Sequence, residues 1–268
     1  MPWTLIFYAL PNGNTIEQTV GRTVREGMDW HFGIQHIGAQ VRLLRHLDTT
    51  RNYAVAYLEA SPKSWPAWRQ AHADGSRLIR GIVDSVRRMA APVGSDFVLS
   101  AHSGGGSFLF GYLSDTLAYP AELQRVVFLD ADYGFDPHAP TAARLRTWLT
   151  DDTSHALVVV AYDDRNIELN GKRVVGPDGG TYRRTFDMAD FFTNSGCDLR
   201  RSEDSLFIRW DCARPDIALR VQKNPKNEIL HTVLVERNGF LFGIGAFHDV
   251  PGIPALWSEP AYGKYVQP

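Results

Sequence analysis

Residues 97–106 read FVLSAHSGGG, and this stretch decides the fold. It begins in the apolar run Asp96–Ala101, which is typical of a strand buried on both faces of a sheet. Beyond the three glycines, the run Ser107–Leu117 has an apolar, helix-like composition. The stretch therefore predicts a buried strand, a tight turn at Ser103 and a helix.

Ser103 stands at the centre of a G-x-S-x-G pattern in which Ala101 replaces the first glycine. In this pattern the serine occupies a strained strand-to-helix turn, and its small neighbours leave room for it. The serine projects toward a substrate carbonyl, and the N–H of the next residue, Gly104, can point at the developing oxyanion. Ser103 is therefore the candidate nucleophile, and Gly104 is a candidate oxyanion-hole donor.

This glycine-rich turn has two other interpretations. A phosphate-binding loop is disfavoured because no Lys-Ser or Lys-Thr pair follows, and the dinucleotide pattern G-x-G-x-x-G is not matched. A turn that only allows close packing of the strand and helix remains the structural alternative. The buried strand before Ser103 and the helix after it favour the nucleophile.

Strand-like and helix-like segments alternate through most of the chain. The other apolar, strand-like runs are Trp3–Ala9, Tyr53–Leu58, Arg125–Leu129, Ala156–Tyr162 and Ile217–Val221. The other helical candidates are Ile37–Leu47, Leu78–Met89, Thr141–Leu149 and Val233–Ile244. This alternation predicts an α/β fold with a mainly parallel sheet covered by helices on both faces. Ligands of such sheets bind at the carboxyl ends of the strands.

The chain reads as a single domain spanning residues 1–268, with one long excursion before the last strand. The excursion covers residues 165–215 and contains the turn signals Asn170-Gly171 and Pro177-Asp178-Gly179-Gly180. An insertion at this position would overhang the active face, so we expect a lid or a pocket wall.

The segment LSAHSGGGSFLFGYL resembles the nucleophile turn of the α/β-hydrolase superfamily, and the order of elements from about residue 3 to 246 is similar. The resemblance implies a catalytic triad in the order serine, acid, histidine, with the histidine in a loop after the last strand. It also implies a serine hydrolase that works without a metal or an organic cofactor. Since ester hydrolysis is the commonest task of this turn, a carboxylesterase is the first expectation.

The position of His231 matches the histidine that the resemblance requires. This residue lies in a loop after the last expected strand, just before the helix-like run Val233–Ile244. The alternative is His248, which stands in an irregular tail near Pro251. His102 adjoins the nucleophile, so its side chain should point elsewhere, and we interpret it as a packing or pocket-wall residue.

Four aspartates are candidates for the acid of the triad. Asp164 is the first choice because one residue separates it from the end of Ala156–Tyr162, which lets the loop turn its carboxylate back toward the histidine, and Asp163 is close behind. The second option is the pair Asp130 and Asp132, at the end of the preceding strand. A carboxylate that emerges from so apolar a strand needs a partner, because an unpaired buried charge is costly.

The remaining expectations concern the oxyanion hole and the pocket. The first strand runs into a Pro-Asn-Gly-Asn turn at residues 11–14, and the N–H of Asn14 could join that of Gly104 as the second donor. The same turn also has ordinary turn chemistry. Aromatic pocket candidates over the active face are Trp30, Trp65 and Trp68, although core packing is an equal alternative for each.

The composition limits the classes of binding partner that the sequence predicts. The net charge of -2 gives no general reason to expect nucleic acid, no apolar run is long enough to span a membrane, and no His/Cys cluster suggests a metal. The N-terminus lacks a signal-peptide pattern, which favours a cytoplasmic protein, although a sequence starting after a cleavage site would look the same. Cys197 and Cys212 suit either a disulfide or two free thiols. We expect a small-molecule ester as substrate.

The sequence is also compatible with other functions. An amidase, a peptidase or an acyltransferase would use the same three residues. A non-catalytic binding protein with the hydrolase fold is a rival from another class, and the presence of both Ser103 and His231 argues against it. A dehalogenase or epoxide hydrolase is disfavoured, because its nucleophile would be an aspartate at position 103.

Overall fold

The computed structural model describes residues 1–246 and 250–268. Its centre is an eight-stranded sheet in the order β2-β1-β3-β4-β5-β10-β9-β8. The strands are β1 Trp3–Ala9, β2 Asn52–Leu58, β3 Asp96–His102, β4 Leu123–Leu129, β5 Ala156–Tyr162, β8 Arg200–Glu203, β9 Phe207–Ala213 and β10 Asp216–Gln222. The first six in spatial order are parallel, and β9 and β8 extend the sheet in antiparallel fashion. A separate hairpin joins β6 Glu168–Leu169 to β7 Lys172–Arg173.

Helices cover both faces of the sheet. They are α1 Ile16–Val20, α2 Ile37–Leu47, α3 Trp65–Ala71, α4 Gly75–Ala90, α5 Gly106–Leu113, α6 Pro140–Asp151, α7 Thr181–Asn194 and α8 Phe240–Gly245. The expected α/β class with a mainly parallel, helix-covered sheet is thus confirmed.

Alternating side chains of the strands build two apolar cores. In β1, Leu5 and Phe7 belong to the core under α3 to α7, whereas Ile6 and Tyr8 belong to the core under α2 and α8. Because successive side chains of a strand point to opposite faces, a strand buried on both faces reads as the continuous apolar run seen in the sequence.

The register of the central strands brings their carboxyl ends to one level. His102 at the end of β3 pairs with Leu129 at the end of β4, so the next residues, Ser103 and Asp130, leave the sheet side by side. Leu129 in turn pairs with Val160 of β5. The turn at Ser103 therefore opens at the edge of the sheet where parallel α/β folds bind ligands.

The excursion 165–215 differs from the expected lid or pocket wall. Its first part is the β6–β7 hairpin, turned at Asn170 and Gly171 as their turn signal predicts. Helix α7 then packs against β5 and β10, and β8 and β9 extend the sheet beyond β10. Most of the excursion is thus part of the sheet and its cover, because β9 completes the hydrogen bonds that the edge of β10 would otherwise leave open, and β8 pairs in turn with β9.

The C-terminal helical candidate is shorter than its sequence pattern suggests. Residues Val235–Gly239 form an irregular turn, and only Phe240–Gly245 is regular α-helix. Asn238 breaks the run because it adopts a positive φ of 64° and its amide donates to the backbone of Ser258 and Glu259. A local asparagine-backbone interaction thus competes with helix propagation.

The glycines after Ser103 allow the helix α5 to begin directly against the neighbouring strand ends. A Cβ atom at Gly105 would overlap the carbonyl oxygen of Ala9, and one at Gly106 would overlap that of Ala131. Both obstacles are backbone atoms of fixed position. Only glycine therefore fits at these two positions.

Substitution of Gly106 by alanine is expected to lower the free energy of unfolding by about 1–3 kcal/mol, because the new methyl group must displace the Ala131 backbone. Urea unfolding would measure the change. Gly81 is the matched control: it lies exposed within α4 with open space around its Cα, so Gly81→Ala should raise stability by about 1 kcal/mol. Equal effects of the two substitutions would contradict the packing described.

Candidate active site

Ser103 lies in a strained turn at the end of β3. Its φ is +56°, a left-handed value that non-glycine residues rarely adopt, and such strain is concentrated at functional sites. The residue is half-buried and lines a cavity. The strand, the strained serine and the helix α5 that begins at Gly106 together form the turn that the sequence predicts.

His231 lies in the loop after β10, as the sequence predicts, and close to the Ser103 turn. Its ring stacks at a tilt on that of His102, the neighbour of Ser103, with 4.5 Å between the ring centroids. Its Nδ1 forms a hydrogen bond with Oδ2 of Asp130. Because that carboxylate accepts the Nδ1 proton, the other ring nitrogen, Nε2, is left as a proton acceptor.

Asp130 is held firmly as the partner of His231. It follows the last residue of β4 with a φ of +46°, and its side chain is fully buried. Its Oδ1 accepts the hydroxyl proton of Thr181, and its backbone N–H donates to Val160 at 2.6 Å. A buried carboxylate with donors on both oxygens has a fixed orientation, which in turn orients the imidazole.

Asp164, the first choice for the acid, does not contact His231. Its Oδ2 accepts the backbone N–H of Thr181 at 2.8 Å, at the first residue of α7, and the carboxylate lies against Gly180. The ranking of the acids is therefore corrected: Asp164 caps α7, where N–H groups and the helix dipole attract a carboxylate, and Asp130 takes the place beside the histidine.

The other two aspartates of these loops also have partners away from His231. Asp163 forms a two-pronged ion pair with Arg165, at 2.8 and 2.7 Å, and does not serve as the alternative acid. Asp132 accepts a hydrogen bond from Thr185 at 2.9 Å. Burial raises the pKa of the Asp132 carboxyl well above its usual range, which favours its neutral form.

His102 holds the backbone of His231 in place. Its ring is buried, and Nε2 donates to the backbone carbonyl of His231 at 3.0 Å, which fixes the tautomer. Burial lowers the pKa of His102 well below its usual range, and the neighbouring His231 adds to this effect, so the ring is neutral. His102 is thus a packing residue, one of the two roles expected, and it is not among the residues that line the cavity at Ser103.

The turn after β1 contacts the serine turn through a different residue from the one expected. The N–H of Asn14 donates to the carbonyl of Pro11 at 3.4 Å, so Asn14 is not available as the second oxyanion donor. Asn12 instead lies against Gly104, where a Cβ would overlap its side-chain amide. Within the described residues the N–H of Asn12 has no hydrogen-bond acceptor, so it is free to donate to a bound group.

A cavity of about 350 Å³ opens beside Ser103 and Gly104. Its apolar wall comes from α5, from the loop after β4 and from α6, and the residues are Phe110, Ala131, Phe135, Ala139, Ala142 and Leu145. Arg69 of α3 lines it as well. The segment between β4 and α6 thus supplies the wall that was expected from residues 165–215, none of which line this cavity.

The three tryptophans expected in the pocket lie elsewhere. Trp30 is 61% exposed and stacks on His31. Trp65 is buried in the core against Phe108, and Trp68 stacks on His72. None of them lines the cavity at Ser103. The core-packing alternative applies to Trp65, because the helix α3 turns its apolar face toward α5.

The alternative histidine, His248, lies outside the described residues. In the described part of the chain, Cys197 and Cys212 are buried free thiols, and no helix has the length and apolarity to cross a membrane. Residues 1–246 and 250–268 contain no cluster of three or more side chains suited to hold a metal ion.

The Ser103 hydroxyl and the His231 ring make no hydrogen bond to each other within the described residues, although their neighbours are in contact. Catalytic hydrogen bonds are often long before substrate binds and tighten in the reacting complex. The ring of His231 is held next to the Ser103 turn by its contacts with His102 and Asp130.

Comparison with protein-family models found no match, and searches of the curated proteins and of the solved structures found none either. The function of this site is therefore inferred from its own geometry and chemistry.

The stability of the protein should depend on pH through Asp164. Burial, and then the charge of Asp130, raise the pKa of Asp164 from 3.8 to about 6. An acid with a higher pKa in the folded state binds a proton more tightly there, so lowering the pH from 7 to 5 favours folding. Urea unfolding would measure the free energy of unfolding of the wild type and of Asp164→Asn. The difference between them should shift in favour of the wild type by on the order of 1 kcal/mol as the pH falls from 7 to 5. If this difference in the free energy of unfolding did not change with pH, the raised pKa of Asp164 would be contradicted.

Proposed function

We propose that the protein is a serine hydrolase of the α/β-hydrolase type that cleaves carboxylic esters of small molecules. Ser103 acts as nucleophile, His231 as general base and acid, and Asp130 as the carboxylate that orients and stabilises the imidazole. The observation that carries the proposal is the hydrogen bond between His231 and the buried Asp130, beside a serine in a left-handed turn. A purely structural turn would need none of these features together.

In the first half of the reaction, His231 Nε2 takes the proton of the Ser103 hydroxyl as Oγ attacks the ester carbonyl carbon. The tetrahedral intermediate then expels the alcohol, which receives that proton from His231, and the acyl group stays on Ser103. In the second half, His231 takes a proton from water, the resulting hydroxide attacks the acyl carbon, and Ser103 leaves with the proton. The Asp130 carboxylate stabilises the imidazolium in both halves.

The oxyanion of each tetrahedral intermediate needs donors close to Ser103. The N–H of Gly104, at the start of a helical turn, is the first candidate, and the N–H of Asn12 replaces that of Asn14 as the second. Fixed backbone donors of this kind stabilise the developing charge without reorganisation, and loss of one costs about 10²–10³ in kcat.

The cavity supports a small acyl or alcohol group as its occupant. Its volume of about 350 Å³ lies at the lower end of ligand pockets, and its wall is largely apolar. An amidase, a peptidase or an acyltransferase would use the same residues, but an extended peptide needs a longer groove than this cavity. A binding protein with a lapsed site would have no use for the buried Asp130–His231 pair.

A fluorophosphonate probe tests the nucleophile directly. The wild type should become labelled on Ser103, whereas Ser103→Ala should not react, and His231→Ala should react at least 10²-fold more slowly because the serine is no longer deprotonated. Fluorescence of the labelled band on a gel measures the reaction. Ser107→Ala is the control, since this serine lines the same cavity and has no histidine partner among the residues that the structure describes. A wild type that resists the probe, or a Ser103→Ala protein that still reacts, would refute the proposal.

The two aspartates give a second, sharper test. Asp130→Asn should lower kcat/KM for a p-nitrophenyl ester by on the order of 10³–10⁴-fold, because the neutral amide no longer stabilises the imidazolium. Asp164→Asn, which keeps an oxygen for the Thr181 N–H, should change it less than about tenfold. Steady-state kinetics measures both. The reverse order of effects would restore Asp164 as the acid.

A further inference from the structure

Arg69 stands out in the wall of the cavity at Ser103. It lies on α3 and is half-buried, and its Nη1 donates to the carbonyl of Ser107 at 3.1 Å. Its side-chain stem passes Gly111, where a Cβ would come within 3.3 Å of Cδ and Nε. The guanidinium is therefore held in place against α5, and it does not swing freely in solvent.

This arginine has no acidic partner among the residues that the structure describes. The other charged residue of the cavity wall, Asp136, is exposed and accepts the His138 N–H at 2.9 Å, and it forms no ion pair with Arg69. The backbone of Ser107 uses one of the five guanidinium protons. Burial lowers the pKa of Arg69, and no neighbouring carboxylate opposes this effect.

A partly desolvated cation without a counter-ion is costly in a folded protein, and a bound anion would relieve the cost. The guanidinium offers a planar fork of N–H donors that suits a carboxylate. The single Arg69 matches one negative charge. A phosphate dianion would favour a second cation, and none lines the cavity within the described chain.

We propose that Arg69 selects substrates that carry a carboxylate on the group occupying the cavity. The preferred substrates are then monoesters of short dicarboxylic acids, with the free carboxylate bound to Arg69 and the ester carbonyl at Ser103. This inference rests on the proposed esterase activity and adds the substrate class to it. Phe110 and Leu145 pack around the methylene chain that joins the two ends.

The test compares two p-nitrophenyl esters of equal chain length, the glutaryl monoester and the uncharged pentanoyl ester. The wild type should prefer the glutaryl ester in kcat/KM by about tenfold or more, since hydrogen bonds to charged groups are among the stronger ones. Arg69→Met should abolish the preference, measured as the ratio of kcat/KM for the two esters, and Arg69→Lys should keep part of it.

Arg146→Met is the matched control. This arginine is also half-buried and donates to a backbone carbonyl, that of Ser195 at 3.1 Å, but it does not line the cavity. Its loss removes the same charge from the protein and should leave the ratio between the two esters unchanged. A general effect of net charge would lower the ratio equally in both variants and overturn the inference.

Free glutarate provides a readout that needs no Arg69 variant. It should inhibit hydrolysis of the pentanoyl ester by wild type at least tenfold more strongly than glutaramide, its uncharged analogue. If the wild type hydrolyses the pentanoyl ester with no preference for the glutaryl ester and no such inhibition, the inference is wrong and the esterase proposal stands. If neither ester is hydrolysed and the fluorophosphonate probe fails as well, the proposed function is wrong, and the inference with it.

Discussion

The hydrogen bond between the buried Asp130 carboxylate and His231 is the interaction on which the whole site depends. A fully buried carboxylate is stable only with donors on both oxygens, and here Thr181 and His231 provide them. The bond ties the loop after β10 to the end of β4. Together with the Nε2 donor of His102, which holds the His231 carbonyl, it brings the imidazole to the serine turn.

The sheet explains why these groups meet at all. Parallel strands in register end at one edge, so the residues after β3 and β4 leave the sheet side by side. Two of them, Ser103 and Asp130, have a left-handed backbone, with φ values of +56° and +46°. Such conformations persist only when the surroundings stabilise them, and both residues sit against rigid strand ends. The strain thus serves to direct two side chains toward the active face.

The sequence predicts the α/β class, the tight turn at Ser103 and the loop position of His231 after the last strand, because each depends on local patterns or on chain order. Apolar runs define the strands, and small residues around Ser103 mark the turn. The acid depends on tertiary contacts instead. Asp130 and Asp164 both follow strand ends, and the choice is made by the start of α7, whose Thr181 N–H binds Asp164. Nothing in the local sequence of either aspartate shows where α7 begins relative to them.

The cavity wall illustrates the same limit of sequence reasoning. Aromatic residues such as Trp65 look like pocket residues, yet the inward face of α3 places Trp65 in the core and leaves Arg69 at the cavity. A lone arginine in an amphipathic helix gives no signal by itself, because most such residues are solvated. Only its burial and its lack of an acidic partner in the described structure distinguish it, and both are properties of the packed protein.

The most direct test of the arrangement is proton NMR of the His231 Nδ1 proton. A hydrogen bond to a buried carboxylate should give a downfield resonance that disappears or moves upfield in Asp130→Asn, and phosphonylation of Ser103 should shift the resonance in the wild type. This result would link all three residues in one measurement. A resonance that survives in Asp130→Asn, vanishes in Asp164→Asn, or ignores the modification of Ser103 would contradict the account.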